Sequence, residues 1–424
     1  MREMKDSGVE WIGEIPVDWK LSKIKHHFSI SSGTTPKSDE PEYWDGDIVW
    51  ITPADFKTDD VFVSKGHRNL SLEGYMVSSL QLVPAGNIIF SKRAPIGQVV
   101  INAIDLCTNQ GCLTVVLNDD SDVRFYRYIM SIATEEFELA GSGTTFKEIS
   151  ATSFGNILLP LTSKQEQTKC ADYLDIKCSK IDEIIEKQQA IIEKLKEYKL
   201  SVINEAVTQG INPDVNMKQS GYKWIGSIPE HWNMVYAKQL FSQRKDRALE
   251  DDEQLTASQK YGVISQKEFM NIEGRQVMQV LKGEEILKHV EKGDFVISMR
   301  SFQGGLEYSE VSGKISSAYV MLIPNRDKVY DRYYKWLFKS KKYISALQGT
   351  SNLIRDGQAL RFSNFVQVYL PSFDLDEQKQ IAEYLDDICP KIDYEIEKRE
   401  KVLEKVIEYK KSLIYEVVTG KTEV

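Results

Sequence analysis

Two long stretches of the chain repeat apolar residues every seven positions. Residues 164–208 and 375–419 contain no glycine and share a single proline. A seven-residue apolar repeat is typical of helices that pack side by side, so both stretches are predicted to be long helices. The predicted seam of this helix pair consists of Leu174, Ile181, Gln188, Leu195 and Val202 in the first helix and Leu385, Ile392, Arg399, Val406 and Leu413 in the second.

Each apolar stripe is wider than one line of residues and carries one polar interruption. The residues expected three positions further along are Ile184, Ile191 and Tyr198 in the first helix and Ile388, Val402 and Tyr409 in the second. Ile185 and Ile192 beside them in the first helix, and Ile396 and Leu403 in the second, are expected to widen the stripe. A single polar residue in such a seam commonly fixes the register of the pair. Gln188 and Arg399 hold this place at the helix midpoints, and we expect them to face each other. The alternative is that each marks a solvated edge.

Helix length favours an antiparallel pair. At about 1.5 Å per residue, each helix would be about 65 Å long. The globular segment between them has about 140 residues, which predicts a domain less than about 40 Å across. Such a domain is too small to return the chain to the start of a second parallel helix, so the helices are predicted to run in opposite directions.

The chain contains an internal repeat. Residues 4–19 return as residues 217–232, with tryptophan, glycine and proline at matching places, and we call these stretches the tryptophan segments. The opening of the first long helix returns as well, because residues 171–175 match residues 382–386. Each half is therefore predicted to contain a tryptophan segment, a globular stretch and a long helix.

Between the repeated ends, the two halves share only scattered residues. The clearest match pairs residues 86–93 with residues 293–300, so the globular stretches are expected to share a framework and differ in detail. The predicted fold class is α+β, with two similar globular α/β domains joined by two long antiparallel helices that form a coiled coil in a pseudo-twofold internal repeat. The predicted domains are residues 1–163 (tryptophan segment and first globular domain), 164–208 (central spacer helix), 209–374 (linker, tryptophan segment and second globular domain) and 375–424 (C-terminal spacer helix and tail).

A specific family resemblance follows from these residues. The motif Trp-Ile-Gly-x-Ile-Pro-x-x-Trp occurs at residues 11–19 and again at residues 224–232. Each copy precedes a variable domain and a helix that opens with residues 165–167 or 377–382. In this order the chain resembles, over its whole length, the DNA-specificity subunits of type I restriction-modification systems.

The resemblance implies a non-catalytic subunit with two target-recognition domains, each reading one part of a split site in double-stranded DNA. It also implies helical spacers that dock two methyltransferase subunits, with restriction and translocase subunits joining that core. No cofactor is expected in this chain, and S-adenosylmethionine is expected on the partner methyltransferase. Two unlike domains on a pseudo-twofold scaffold predict an asymmetric, interrupted target.

The charge of the chain is unusual for a nucleic-acid binder. The formal net charge is −9, whereas DNA-binding domains are commonly basic. Residues 20–160 carry a net charge of −5 and residues 233–371 a net charge of +5. Only the second globular domain therefore has the charge of a DNA-binding domain, and the isolated chain is expected to bind DNA weakly.

Candidate DNA contacts are polar or basic residues in turn-like surroundings, where a side chain can reach a base edge. For any one of them, an ordinary solvated charge is the alternative interpretation. The candidates are Lys92, Arg93, Thr144, Thr145 and Lys147 in the first domain and Lys245, Arg247, Arg300, Gln303, Arg355 and Arg361 in the second.

Aromatic residues are predicted to build the core. The segment 330–343 interleaves aromatic and basic residues, which could stack on bases. However, the first half places apolar residues at the equivalent positions, so a packed amphipathic helix is favoured. The tryptophans of the tryptophan segments are expected to anchor each domain to a helix.

Several other classes of site and location are disfavoured. The five cysteines lack the spacing of a zinc site, no metal site is expected, and no stretch is apolar enough to span a membrane. A cytoplasmic protein is expected. Gly420, Lys421 and Thr422 lack the upstream glycine of a phosphate-binding loop and are expected to form a frayed terminus. Two functional alternatives stay open, namely a stand-alone DNA-modifying enzyme and a coiled-coil scaffold that does not read DNA.

Overall fold

The computed structural model divides the chain into two compact units. The first unit comprises Met1–Gln189 and Lys401–Val424, and the second comprises Ala190–Glu400. Each long helix begins in one unit and ends in the other. The structure describes residues 2–56, 61–143, 147–274, 286–350 and 360–424.

The elements of the first half alternate short strands with short helices before the first long helix. Two 3-10 turns, Pro41–Tyr43 and Pro53–Asp55, accompany them. The elements are β1 Met4–Asp6, β2 Glu14–Pro16, β3 Lys20–Lys23, α1 Ile24–His27, β4 Ser29–Ser32, β5 Trp44–Ile51, β6 Phe62–Val63, β7 Arg68–Leu70, α2 Leu72–Val77, β8 Ile88–Ser91, β9 Val99–Asn102, β10 Cys107–Thr108, β11 Cys112–Val116, α3 Val123–Ile132, α4 Thr134–Ala140, α5 Ala151–Gly155, β12 Leu158–Leu161 and α6 Lys164–Gln209.

The second half repeats this plan and ends in the second long helix. One 3-10 turn, Ala237–Gln239, follows its third strand. The elements are β13 Met217–Gln219, β14 Ser227–Pro229, β15 Asn233–Tyr236, β16 Phe241–Arg244, β17 Leu255–Ser258, β18 Gly262–Ser265, α7 Gln266–Glu273, β19 Lys288–Val290, β20 Phe295–Ile297, α8 Ser301–Gly304, β21 Glu307–Tyr308, β22 Gly313–Ile315, β23 Val320–Pro324, α9 Asp331–Lys339, α10 Lys341–Gln348, α11 Phe362–Phe365, β24 Tyr369–Ser372 and α12 Leu375–Val418.

The first unit is built on a five-stranded sheet in the order β4-β11-β8-β9-β6. Its neighbouring strands are antiparallel, except that β9 and β6 are parallel. Every residue of β8 and β9 is buried, and continuous apolar runs such as that of β8 are typical of strands covered on both faces. The unit also contains a three-stranded sheet, β10-β5-β7, and the two-stranded pairs β1-β2 and β12-β3.

The main sheet of the second unit has the same strand order. Its antiparallel arrangement β16-β23-β20-β21 corresponds to β4-β11-β8-β9 of the first unit. Four two-stranded pairs accompany it, namely β13-β14, β15-β24, β17-β18 and β19-β22. The expected shared framework with differing details is therefore confirmed.

An aromatic helix fills the core of the second unit. Helix α9 buries Tyr333, Tyr334, Leu337 and Phe338, which recur at the spacing of one helix face. The hydroxyl of Tyr333 donates a hydrogen bond of 2.8 Å to the carbonyl oxygen of Val207 near the end of α6, so this buried polar group is satisfied. The prediction that the aromatic run forms core is confirmed.

Within the first unit, α6 and α12 run antiparallel. The thiol of Cys170 lies 3.9 Å from the carbonyl oxygen of Val417, and Asp182 further along α6 pairs with Lys410, which lies earlier on α12. Later residues of one helix thus meet earlier residues of the other. The opening of α6 and the end of α12 share one apolar core with the main sheet of this unit.

The second unit repeats the antiparallel contact with the opposite ends of the helices. Lys199 of α6 forms a 2.6 Å ion pair with Asp393 of α12, and the earlier residue Lys196 lies 3.6 Å from the later residue Glu400. The end of α6 and the opening of α12 share the core that contains α9. The prediction of two long antiparallel helices is confirmed for each unit.

Within the two units, the first predicted line of seam residues is buried or half-buried, and most of the line three positions along is exposed. The predicted seam residues Leu174, Ile181, Val202, Leu385, Ile392 and Leu413 are buried, and Gln188, Leu195, Arg399 and Val406 are half-buried. Four of the six residues expected three positions further along face solvent instead, with exposed fractions of 46% for Ile184, 54% for Tyr198, 42% for Val402 and 59% for Tyr409, whereas Ile191 and Ile388 are half-buried.

The second line of the seam lies four positions beyond the first. Cys178, Ile192, Cys389 and Ile396 are buried there. A heptad stripe alternates steps of three and four residues. In the first helix, apolar residues stand at both the three-residue and the four-residue step, so the sequence did not indicate which of the two positions faces the partner helix. Because Gln188 belongs to the first unit and Arg399 to the second, the expectation that they face each other stays a prediction.

The tryptophan segments anchor the ends of the long helices. Trp19 is fully buried in the core that contains Val417 near the end of α12, and Trp232 is fully buried in the core that contains Ala206 near the end of α6. The hydroxyl of Tyr415 also donates a hydrogen bond of 2.9 Å to the carbonyl oxygen of Ile12. The expected anchoring role is confirmed.

A glycine follows each long helix and allows the chain to leave it. Gly210 and Gly420 have φ values of 79° and 73°, the left-handed conformation common after helix ends. A Cβ atom on Gly420 would lie 2.5 Å from Pro16, so a side chain is excluded there. Lys421 donates a hydrogen bond of 3.0 Å to the carbonyl oxygen of Ile12. The expectation of a frayed terminus is wrong, because this tail packs on the tryptophan segment.

Among the residues that the structure describes, no helix combines the length and apolar character needed to cross a bilayer.

The seam predicts a sharp difference between two substitutions in the second unit. Leu385→Ala removes a fully buried side chain and should lower the free energy of unfolding by about 2–5 kcal/mol. Tyr198→Ala changes a side chain that is 54% exposed and should alter stability by less than about 0.5 kcal/mol. Urea denaturation measures both effects, and equal losses in the two variants would contradict the seam described here.

Candidate nucleic-acid interface

The first unit presents two predicted DNA contacts at a tight corner. Strand β8 ends at Ser91, whose buried hydroxyl donates a hydrogen bond of 2.7 Å to the carbonyl oxygen of Pro95. Lys92 and Arg93 follow at once, and we call residues 91–98 the β8 corner. Because the corner is fixed at a buried hydroxyl, it carries these two side chains on a rigid base.

A carboxylate binds both basic side chains of the β8 corner. Lys92 Nζ lies 3.0 Å from Glu148 Oε1, and Arg93 Nε lies 2.8 Å from Glu148 Oε2. The side chain of Lys92 is only 13% exposed, whereas that of Arg93 is 48% exposed. The structure therefore places Lys92 as a support of the cluster and Arg93 at the surface.

The electrostatics of this cluster keep Glu148 ionised. Partial burial alone would raise the pKa of Glu148, but hydrogen bonds and charges from Lys92 and Arg93 outweigh that effect and lower its pKa below the ordinary 4.5. The three side chains together carry one positive charge at neutral pH. A cluster with so little net charge attracts phosphate weakly, which leaves directed hydrogen bonds as its main means of recognition.

The second unit has an equivalent corner after β20. Ser298 is buried, its amide donates a hydrogen bond of 2.8 Å to Ser301 Oγ, and its own hydroxyl accepts one of 3.3 Å from the amide of Arg300. Arg300 and Gln303 are exposed at the start of α8. We call residues 298–303 the β20 corner, which places Arg300 where the first unit has Arg93.

A cleft joins the β20 corner to a neighbouring hairpin. Gln259 lies at the turn between β17 and β18, and its Nε2 donates a hydrogen bond of 3.2 Å to the carbonyl oxygen of Arg300. The cleft measures about 500 Å³ and is lined by Thr256, Ala257, Ser258, Gln259, Lys260, Phe269, Glu273, Ser298, Met299, Arg300 and Tyr319. Amide, guanidinium and hydroxyl groups beside aromatic rings suit contacts to base edges and base faces.

The remaining candidates lie apart from these two corners. Lys147 is exposed next to Glu148, Lys245 and Arg247 are exposed on the connection after β16, and Arg361 is exposed immediately before α11. Thr144, Thr145 and Arg355 lie outside the described residues. The corners thus gather Lys92 with Arg93 and Arg300 with Gln303, and the other candidates occupy separate elements.

A buried histidine fixes the connection that carries Lys245 and Arg247. His289 Nδ1 lies 2.7 Å from Asp252 Oδ2, and its Nε2 lies 2.9 Å from Glu291 Oε2. Burial alone would lower the pKa of His289, but the hydrogen bonds and negative charges of the two carboxylates outweigh it and raise the pKa above 6.5. The connection is therefore held by two hydrogen bonds between His289 and carboxylates, which strengthen when the imidazole is protonated.

Sequence reasoning missed the supporting residues of this interface. Glu148 and His289 show no local pattern, because their partners are distant in sequence or depend on strand pairing. Gln259 and Lys260 could have been found, since a polar turn before Gly262 between two strand-like runs is typical of a hairpin. In the described ranges, the structure shows no group of three or more histidine, cysteine, aspartate or glutamate side chains that could hold a metal ion.

Comparison with known families gives a match in both halves of the chain. The family described as the type I restriction modification DNA specificity domain matches residues 16–197 and again residues 229–405. The two matches cover most of the chain and include both corners.

Individual relatives agree with the family match. The MjaIX specificity subunit of Methanocaldococcus jannaschii is 36% identical over 190 residues, which are 43% of this chain and 43% of that protein. The chain covers less than half of the length of the first curated relatives that it matches.

Two solved structures share the fold. One, solved to explain complex assembly and conformational transition of the type I R-M system, has a TM-score of 0.70 at 13% identity, over 95% of this chain and 98% of that one. The other, the HsdS subunit of Thermoanaerobacter tengcongensis, has a TM-score of 0.51 at 12% identity, over 96% and 98% of the two chains.

The histidine contacts predict how the stability of the second unit depends on pH. Because the pKa of His289 is raised on folding, its contribution is complete below about pH 6.5 and is lost as pH rises through the folded value. The melting temperature of the protein should exceed that of His289→Gln most at pH 6, and the difference should shrink by pH 9. Scanning calorimetry across this range measures the difference in melting temperature. His26→Gln, at an exposed histidine, is the control, and its melting temperature should follow that of the unsubstituted protein. A difference that grows with pH would refute the assignment.

Proposed function

The chain belongs to the family of type I restriction modification DNA specificity domains, and we propose that it is a non-catalytic recognition subunit that selects sites in double-stranded DNA. The observation that carries the proposal is the double match, in which each half contains its own strand-end corner with an exposed arginine. Because the two corners differ in their other residues, the target has two unlike parts.

The two units contribute unequally to DNA affinity. The globular stretch of the second half carries a net charge of +5, and that of the first half carries −5. Contacts between basic residues and phosphates supply most of the salt-dependent affinity of DNA-binding proteins. The second unit therefore supplies the general attraction to DNA, and the first depends on base contacts and on partner subunits.

Two methyltransferase subunits bind to the long helices and carry the S-adenosylmethionine and the chemistry. Restriction and translocase subunits join this core. Two exposed tyrosines support the docking of methyltransferase subunits on the long helices. Tyr198 on α6 and Tyr409 on α12 stand at equivalent places of the internal repeat and are 54% and 59% exposed. Exposed aromatic residues are frequent anchors of protein interfaces. One tyrosine for each of two identical partners explains why the exposed position occurs twice.

The docking proposal predicts a change in stoichiometry. Tyr198→Ala and Tyr409→Ala should each lower the affinity for one methyltransferase subunit about tenfold or more, because each removes one aromatic anchor. Tyr394→Ala is the matched control, since Tyr394 is 64% exposed on α12 but has no tyrosine at the equivalent place of α6. Native mass spectrometry counts the bound subunits. Two subunits retained by both tyrosine variants at dilution would refute these anchors.

The proposed function predicts activity only in the assembled complex. The purified chain should neither bind S-adenosylmethionine nor methylate DNA, and addition of its methyltransferase should give methylation at one bipartite sequence. Replacement of residues 233–371 by the equivalent domain of a relative should change one part of that sequence and leave the other unchanged. Sequencing of methylated sites provides the readout. A target that survives the replacement intact would refute recognition by this domain.

A further inference from the structure

The β8 corner holds one arginine in an orientation suited to a base edge. Arg93 contacts Glu148 through Nε, and residue 93 also pairs with residue 148 through an antiparallel backbone bridge. Among the described residues, the two terminal nitrogens of Arg93 take no protein acceptor. The paired terminal N–H groups of a guanidinium match the O6 and N7 acceptors of guanine in the major groove.

Both the backbone and the side chain of Glu148 are held in place by neighbouring residues. The backbone of Glu148 forms two hydrogen bonds of 3.0 Å with Ser142, and its Oε1 forms an ion pair of 3.0 Å with Lys92. Glu148 can therefore fix the plane of the Arg93 guanidinium before DNA arrives. A side chain that is already ordered loses less conformational freedom on binding, which favours the base that fits it.

The low net charge of the cluster favours contact with a base over general attraction to the phosphates of DNA. Lys92, Arg93 and Glu148 sum to one positive charge, and the globular stretch around them is acidic overall. An arginine without the carboxylate would bind phosphate at any sequence. The carboxylate lowers this non-specific attraction while leaving the guanine-facing edge of Arg93 open.

We propose that Arg93 reads a guanine in the part of the target contacted by the first unit, and that Glu148 is its positioning residue. This inference rests on the proposed function. The β20 corner supplies a natural comparison, because Arg300 occupies the equivalent place with Met299 instead of a lysine and, in the described part of the chain, without a carboxylate partner.

The test measures base preference at each position of the target. The full chain is combined with its methyltransferase and a library of duplexes randomised one position at a time, and methylation of each duplex is quantified. The unsubstituted complex should prefer guanine at one position by about tenfold or more. Arg93→Ala should abolish the preference at that position alone. Arg93→Lys keeps the positive charge but lacks the two terminal N–H groups that match guanine, so it should also abolish the guanine preference.

Glu148→Gln separates positioning from a merely structural role. It should reduce the guanine preference several-fold and at the same time strengthen binding to duplexes without the target, because one negative charge is removed. A simple folding defect would weaken both, and the melting temperature checks for one. Arg300→Ala should alter a position in the other part of the target and leave the guanine position unchanged.

The outcomes distinguish this inference from the function on which it rests. If the unsubstituted complex methylates without sequence preference, the proposed function fails and the inference fails with it. If methylation is sequence-specific but Arg93→Ala leaves every position of the target unchanged, the recognition function stands and the guanine assignment is overturned. If Glu148→Gln changes neither base preference nor binding to unrelated duplexes, the positioning role is overturned.

Discussion

The architecture depends on burying both ends of each long helix in a domain core. The middle of each helix carries many charged residues, and most of the stability of helices in proteins comes from packing an apolar face against a core. Helix α6 begins in the core of the first unit, at Leu174, and ends in the core of the second, at Val207. Helix α12 makes the same connection in reverse. The tryptophan segments complete both cores, so a variable domain can change while its attachment to the helices is kept.

The two corners proposed to contact DNA also combine a shared framework with variable residues. Strands β8 and β20 lie at equivalent places in their sheets, and a buried serine at the end of each fixes the corner that follows. The exposed residues beyond that serine are free to differ. Arg93 is held by a carboxylate, whereas Arg300 borders a cleft, so one framework presents two chemically different surfaces for base contacts.

The sequence predicts the repeated framework well because local patterns encode it. The seven-residue apolar repeat indicates both long helices, and the repeated match around residues 86–93 indicates the equivalent corners. The line three positions along was wrong at four of its six residues, because neighbouring apolar residues satisfy both a three-residue and a four-residue step. Glu148 and His289 were missed since their roles arise from strand pairing across the fold, which no local pattern encodes. Tyr198 and Tyr409 were taken for seam residues for the same local reason.

Recognition of DNA by the two corners is tested most directly by an experimental structure of the full chain with its methyltransferase on a duplex that contains the methylated target. In that structure, residues 91–98 and residues 298–303 should each reach base edges, at two different parts of the target, with the long helices away from the bases. A structure in which the duplex contacts only the helices, or touches either corner solely through phosphates, would contradict it.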